Sequence, residues 1–189
     1  FREVNVDGTL RLAGQALKAG VRRFIFISSI GVNGNQTFDR PFTSQDVPNP
    51  KEPYAVSKLE AELALSSLFS GTATQLTIVR PPLVYGPNPP GNFNRLLRAV
   101  ANRWPLPLGA IHNKRSLIAL DNLVDFLINC LDHPRAGNQT FLISDGEDLS
   151  TTELLSRMAK AEAQLSLPGR PPLVDFTRQS APTPPAPRG

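Results

Sequence analysis

Phe24-Ile25-Phe26-Ile27-Ser28-Ser29 is the stretch on which the reading turns: four apolar residues, β-branched or aromatic, bounded upstream by Gly20 and downstream by two serines. A run this short without polar alternation suits a strand buried on both faces, and such strands belong to parallel sheets. Upstream, Leu10, Leu12, Ala13, Ala16 and Leu17 follow helical spacing, and Lys18 before Gly20 is a stop signal, so a helix is predicted from Val4 to Ala19. Downstream, Gly31 to Pro53 carries Pro41, Pro48, Pro50 and Pro53 and is predicted to be a loop, of a length that usually serves a function. Tyr54 to Leu68 is rich in Ala, Leu, Glu and Lys and predicts a helix; Gln75 to Arg80 reads as the next buried strand. Helix alternating with buried strand is the pattern of an α/β fold built on a parallel sheet.

The alternation continues. After a loop from Pro81 to Gly91 the pattern predicts a helix from Phe93 to Asn102, a strand from Ser116 to Leu120 and a helix from Asn122 to Leu131. A strand from Thr140 to Ile143 and a helix from Thr152 to Ala163 follow, the last with Ser150 as N-cap and Glu153 three residues on. From Pro168 to Gly189 there are seven prolines and few large apolar residues, so the chain beyond 164 is expected to be disordered.

With 189 residues and 40% hydrophobic content the chain can bury one ordinary core. Twenty Lys and Arg against 16 Asp and Glu give +4 with no basic run, which argues against a nucleic-acid partner. The single cysteine, Cys130, forms no internal disulfide and suits a reducing, cytoplasmic setting; it reads as a buried helix residue. No apolar run reaches the roughly 18 residues of a membrane span. Phe1-Arg2-Glu3-Val4-Asn5 has neither a signal-peptide pattern nor a starting methionine, so the first residue is expected to be internal to a longer gene. His112 and His133 fit no metal spacing, and no metal is predicted.

Chemistry concentrates in three residues. Ser29 ends the first buried strand, and Tyr54-Ala55-Val56-Ser57-Lys58 opens a helix with Tyr54 and Lys58 one turn apart on one face. A neighbouring ammonium stabilises a phenolate and is expected to bring the tyrosine towards a useful base. Ser29 would hydrogen-bond the same substrate oxygen, so that Tyr54 takes its proton while a hydride leaves the carbon. That is alcohol oxidation, or ketone reduction in reverse.

With the strand that runs into Arg80-Pro81-Pro82-Leu83-Val84-Tyr85-Gly86-Pro87, this combination resembles the extended short-chain dehydrogenase/reductase family, NAD-dependent epimerases, dehydratases and reductases of nucleotide sugars. The resemblance runs from about Val4 to about Ala161. It implies a partial Rossmann-type, doubly wound parallel sheet with a small C-terminal substrate-binding portion. Residues 1–91 would be the second half of the dinucleotide-binding domain and 92–163 the substrate-binding portion interleaved with the last Rossmann elements. Asn5, in Asn5-Val6-Asp7-Gly8-Thr9, would support the active site. Ile27-Ser28-Ser29-Ile30-Gly31-Val32 would hold the catalytic serine, Ser29 rather than Ser28. Lys58 would also hold the nicotinamide ribose, Ser28, Pro81, Leu83 and Val84 would pass the nicotinamide, and Asn92, Phe93 and Arg115 would touch the nucleotide sugar. The fork of Arg115 matches phosphate oxygens bidentately. The implied cofactor is NAD, with NADP possible, and the full-length enzyme is expected to be a homodimer through helices such as those starting at Val4 and Tyr54.

Two features depart from the family. No glycine-rich phosphate loop follows a first strand, so roughly one hundred residues of the first mononucleotide-binding half are expected to be missing, and the chain alone is expected to bind NAD weakly. The Pro-rich tail has no counterpart. Three functions stay open: a 4-epimerase, a 4-keto reductase of deoxy sugars, and a non-catalytic member that keeps the fold.

Overall fold

The computed structural model describes residues 1–87, 95, 98–100, 102 and 113–165. They divide into two compact units, residues 1–85 with 116–148, and the described residues of 86–115 with 149–165.

In the first unit, β1 (Arg23–Ile27) lies beside β2 (Gln75–Arg80), and β2 beside β5 (Gln139–Leu142), all parallel, with Phe26 opposite Ile78 and Val79 opposite Phe141. A second sheet has the order β3 (Leu83–Tyr85), β4 (Arg115–Ala119), β6 (Asp148–Leu149), with Leu83 opposite Leu117. The alternation of side chains along β1 and β2 explains why helices cover both faces of the first sheet. Phe26, Leu76 and Ile78 join Val6, Ala13, Ala61, Leu65 and Phe69 of the helices α1 (Thr9–Lys18) and α2 (Pro53–Phe69) and the segment before them. Ile25 and Val79 face the other way, onto Leu123, Phe126 and Leu127 of α3 (Leu120–Asp132). Helices on both faces of a parallel sheet are the doubly wound arrangement.

Several elements differ from the sequence reading. The first helix is α-helical only from Thr9; Glu3–Gly8 is wound as a π-helix, whose wider turn shifts the phase of what precedes α1. β1 is not buried on both faces: Phe26 is buried but Ile27 is 44% exposed, because among the described residues β1 pairs only with β2 and its α3 side opens on an apolar groove. The expected loop after Pro81 contains the strand β3, three residues too short to be seen by alternation. Of the helix expected from Phe93 to Asn102, Arg95 and residues 98–100 are described and are helical.

Local chemistry accounts for the ends of the helices. Pro53 opens α2, where its fixed φ and missing N–H suit the first turn, and Gly71 follows its end at φ 72°. Arg23 caps α3, its Nη1 donating to the carbonyls of Cys130 at 2.6 Å and His133 at 2.7 Å, while Nη2 holds Gln75. Cys130 is buried in that helix, and burial, partly opposed by Arg23, pushes its thiol up from the ordinary value. In the second unit α4 (Thr151–Leu165) starts with the expected box: Glu153 N–H donates to Ser150 Oγ at 3.0 Å and Ser150 N–H to Glu153 Oε2 at 2.7 Å. No helix among the described residues is long and apolar enough to cross a membrane.

Candidate active site

The carboxyl ends of β1 and β2 are knitted together by two backbone bonds, Ser28 N–H to the Val79 carbonyl at 2.7 Å and Ile30 N–H to the Pro81 carbonyl at 3.0 Å. Ser29 leaves the strand in extended conformation and caps a single 3₁₀ turn, Ile30–Val32, its Oγ accepting from Gly31 N–H at 3.1 Å. The turn then passes close under α2. A Cβ on Gly31 would stand 3.2 Å from the Ala55 Cβ, so glycine is what permits the approach.

That approach creates a small cleft of about 100 Å³, lined among others by Ser29, Gly31, Tyr54 and Ala55, with Lys51 and Glu52 also at its wall. Tyr54 is 38% exposed and stacks edge-on against Phe1, with ring centroids 5.6 Å apart. Lys58 lies one turn further along α2. Its Nζ donates to the Ile27 carbonyl at 2.9 Å, 4.8 Å from the Phe26 ring centre and 5.8 Å from that of Tyr54. Ser29, Tyr54 and Lys58 therefore gather at the end of β1, as their spacing in the sequence suggests.

The electrostatics differ from the sequence expectation. Burial pushes the Tyr54 phenol up from its ordinary value, and burial lowers the Lys58 ammonium while the carboxylate of Glu62 pulls it back up. The ammonium is committed to the Ile27 carbonyl, so it does not bring the tyrosine down in this arrangement.

Asn5 reaches the site through one intermediary. Its Nδ2 donates to Ser57 Oγ at 3.0 Å, and Ser57 Oγ donates to the Tyr54 carbonyl at 2.7 Å. Ser57 was not singled out by the sequence reading; its signal was its place between tyrosine and lysine. Ser28 is 4% exposed, and its Oγ is buried with no hydrogen-bond partner among the described residues. Pro81 is buried beside the turn, and Leu83 and Val84 open β3. Tyr85 ends that strand and donates to Asp145 Oδ2 at 2.8 Å, while Asn122 Nδ2 and Ala119 N–H also donate to Asp145 and fix the start of α3. Arg115 is an exposed residue at the start of β4 and belongs to the second unit. Asn92 and Phe93 lie outside the described residues, as does His112. His133 Nδ1 accepts from Arg135 N–H and caps a short turn.

Sequence reasoning missed a buried trio beneath these residues: Arg80, Glu62 and Asn33, joined by three hydrogen bonds. Its signal was an arginine ending a buried strand and a glutamate four residues after Lys58.

The residues present fit the nicotinamide end of a dinucleotide: an orphaned buried hydroxyl at Ser28, an ammonium at the strand end and a tyrosine facing a cleft. A pyrophosphate cradle of the glycine-rich kind is not part of the sequence.

The profile of the NAD dependent epimerase/dehydratase family matches residues 1–144. The UDP-glucose 4-epimerase of Vibrio cholerae is 49% identical over 163 residues, 85% of this chain and 50% of that enzyme. The structure of MoeE5 in complex with UDP-glucuronic acid and NAD superposes with a TM-score of 0.72 at 29% identity, covering 83% of this chain and 54% of that one. That of UDP-glucose 4-epimerase with UDP-glucose from Thermotoga maritima gives a TM-score of 0.75 at 22% identity over 90% and 57%, a likeness of fold. The chain spans about half the length of the curated relatives it matches. Doubly wound sheet, serine turn, tyrosine–lysine helix and family profile coincide on the same residues, and the chain belongs to the NAD-dependent epimerase/dehydratase family.

Proposed function

We propose that this chain carries the proton-handling half of a nucleotide-sugar 4-epimerase. The observation that carries the reading is the cleft shared by Ser29 and Tyr54, with Lys58 one helical turn beyond Tyr54 and tied to the Ile27 carbonyl, in a chain 49% identical to a UDP-glucose 4-epimerase.

In this reading the sugar C4 hydroxyl enters the cleft and donates to Tyr54, while Ser29 hydrogen-bonds the same oxygen and fixes its orientation. Tyr54 takes the proton from the C4 oxygen as base and, once hydride has returned to the other face of the carbon, gives a proton back to that oxygen as acid. It is the second residue of α2, so the partial positive charge of the helix N-terminus favours its anion, offsetting the burial that raises it. Lys58 supplies a cation one turn from Tyr54 and holds the nicotinamide ribose. NAD, held there, would supply the acceptor and donor of the C4 hydride. Asn5 and Ser57 hold the backbone of Tyr54 in place. Arg115 would grip the diphosphate, and Asn92 and Phe93 would touch the nucleotide sugar; the occupant is a UDP-hexose, and the working enzyme is a cytoplasmic homodimer.

The test is a chimera that joins this chain to the portion of the Vibrio cholerae enzyme it does not span. It should interconvert UDP-glucose and its 4-epimer, and Tyr54→Phe should lower turnover by at least about 10²-fold with an unchanged circular dichroism spectrum. A folded, NAD-binding chimera inert towards every UDP-hexose, or one indifferent to Tyr54→Phe, refutes the proposal.

A further inference from the structure

The ion pair beneath the site has no part in the proton transfer described above, yet it is the most buried charged group among the described residues. Arg80 is 5% exposed, Glu62 4% and Asn33 3%. Arg80 Nε donates to Glu62 Oε1 at 2.9 Å, Nη2 to Oε2 at 2.5 Å and Nη1 to Asn33 Oδ1 at 2.9 Å. Asn33 passes the connection on, its Nδ2 donating to the Thr43 carbonyl at 2.9 Å. One guanidinium thus ties three segments together: the end of β2, the second turn of α2 beyond Tyr54, and the turn that follows Ser29.

Stability alone is a poor reason for such an arrangement, because desolvating two charges offsets much of their attraction, and apolar residues of similar volume do as well. Position gives a better one. Glu62 is one helical turn past Lys58, on the same face, and its carboxylate acts on the lysine. Left unpaired, it would compensate the ammonium beside Tyr54. Arg80 takes up most of that charge through a bidentate bond, so Glu62 offsets the lysine only in part.

We propose that Glu62, Arg80 and Asn33 are positioning residues of the active site: all three lock the Ser29 turn to the Tyr54–Lys58 helix, and Arg80 offsets most of the Glu62 charge, so that Lys58 keeps most of its own beside Tyr54. The proposal rests on the reading of Tyr54 and Lys58 as the catalytic pair. The groups facing Lys58 are Tyr54 and Glu62 from α2, the neutral Ile27 carbonyl and Phe26 ring from β1 and, behind Glu62, Arg80 from β2. Lys51 and Glu52 flank Tyr54 at the cleft, and Arg2 is paired with Glu60 on the outer side of α2.

The experiment is an NMR titration of Lys58 in the full chain, one of five lysines, its signal identified by its loss in Lys58→Ala. Glu62→Gln removes the anion and leaves Arg80 unpaired, so Lys58 should titrate lower by about one pH unit. The double variant Glu62→Gln/Arg80→Gln removes both charges and should return Lys58 to within about half a unit of the parent. A lysine unmoved in the single variant overturns the proposal. So does a double variant displaced as far as the single one, which would mean loosened packing rather than charge. Should Glu62→Gln alone fail to fold by circular dichroism, the double variant decides by the same criterion. Turnover plays no part in this readout, so loss of the catalytic reading, judged by Tyr54→Phe in the chimera, is distinguishable from loss of this one.

Discussion

Replacing Arg80 by methionine is the sharpest test of what holds the floor of the site together. The substitution keeps the apolar stem but deletes the guanidinium, and with it the two bonds to Glu62 and the one to Asn33. Both partners of the ion pair are about 95% enclosed, with side chains 6% and 5% exposed, so water does not reach the stranded carboxylate. Breaking a buried pair by removing one member leaves an uncompensated charge and costs about 3–5 kcal/mol. Against a total stability of about 5–15 kcal/mol for a domain, that is a large share. With a urea m-value of about 2 kcal/mol/M, the unfolding midpoint should fall by about 2 M, followed by far-UV circular dichroism. The exposed pair Arg22–Asp132, 73% and 85% open to solvent, is the internal control: Arg22→Met should cost no more than about 1 kcal/mol. If Arg80→Met costs as little as Arg22→Met, the pair is not load-carrying and the account of the site floor fails.

Three further outcomes are expected. Asp145 feels burial, which raises it, but the hydrogen bonds from Asn122, Tyr85 and Ala119 prevail and hold its carboxyl below the ordinary value. A depressed folded-state value means its contribution is present above the unfolded value, about 4, and is lost as pH falls through the folded one. Asp145→Asn should therefore lower the melting temperature at pH 7 and make little difference near pH 2; an equal loss at both would contradict the assignment. The groove between β1 and α3, about 300 Å³ and lined by Ile25, Ile27, Val124, Leu127, Ile128 and Leu131, is an exposed apolar surface, so the chain should self-associate. Ile128→Glu, at a position 59% exposed, should reduce the light scattering of concentrated samples without loss of helix signal. Because its sequence has no glycine-rich phosphate loop, the chain alone should bind NAD more weakly than micromolar; calorimetric titration that returns a micromolar constant would overturn this.

What could be read in the sequence was what short-range periodicity encodes. Gln75 to Arg80 is found as a strand with the expected ends, because every one of its residues except Gln75 is buried and Leu76, Ile78 and Val79 with the β-branched Thr77 form its centre. Tyr54 and Lys58 could be paired because four residues in a helix is one turn, whatever surrounds it. Ile27 could not be placed, since the same apolar run serves a buried strand or an edge strand, and only the neighbour decides. Asn5 shows the limit most clearly. Helical spacing counted from Leu10 at 3.6 residues per turn assigns the residues before it a fixed phase, but Glu3–Gly8 takes a wider turn and the phase slips. The slip leaves Asn5 within 3.0 Å of Ser57, and hence in register with the backbone of Tyr54. The trio of Asn33, Glu62 and Arg80 is harder still, because its members lie 47 and 18 residues apart along the chain and no local pattern joins them. Their signal is physical rather than periodic: an arginine ending a buried strand needs a buried acceptor, and the nearest acid on the helix that covers the strand is Glu62. Asking of each buried charge where its partner must be is how a sequence of this kind can be read one step further.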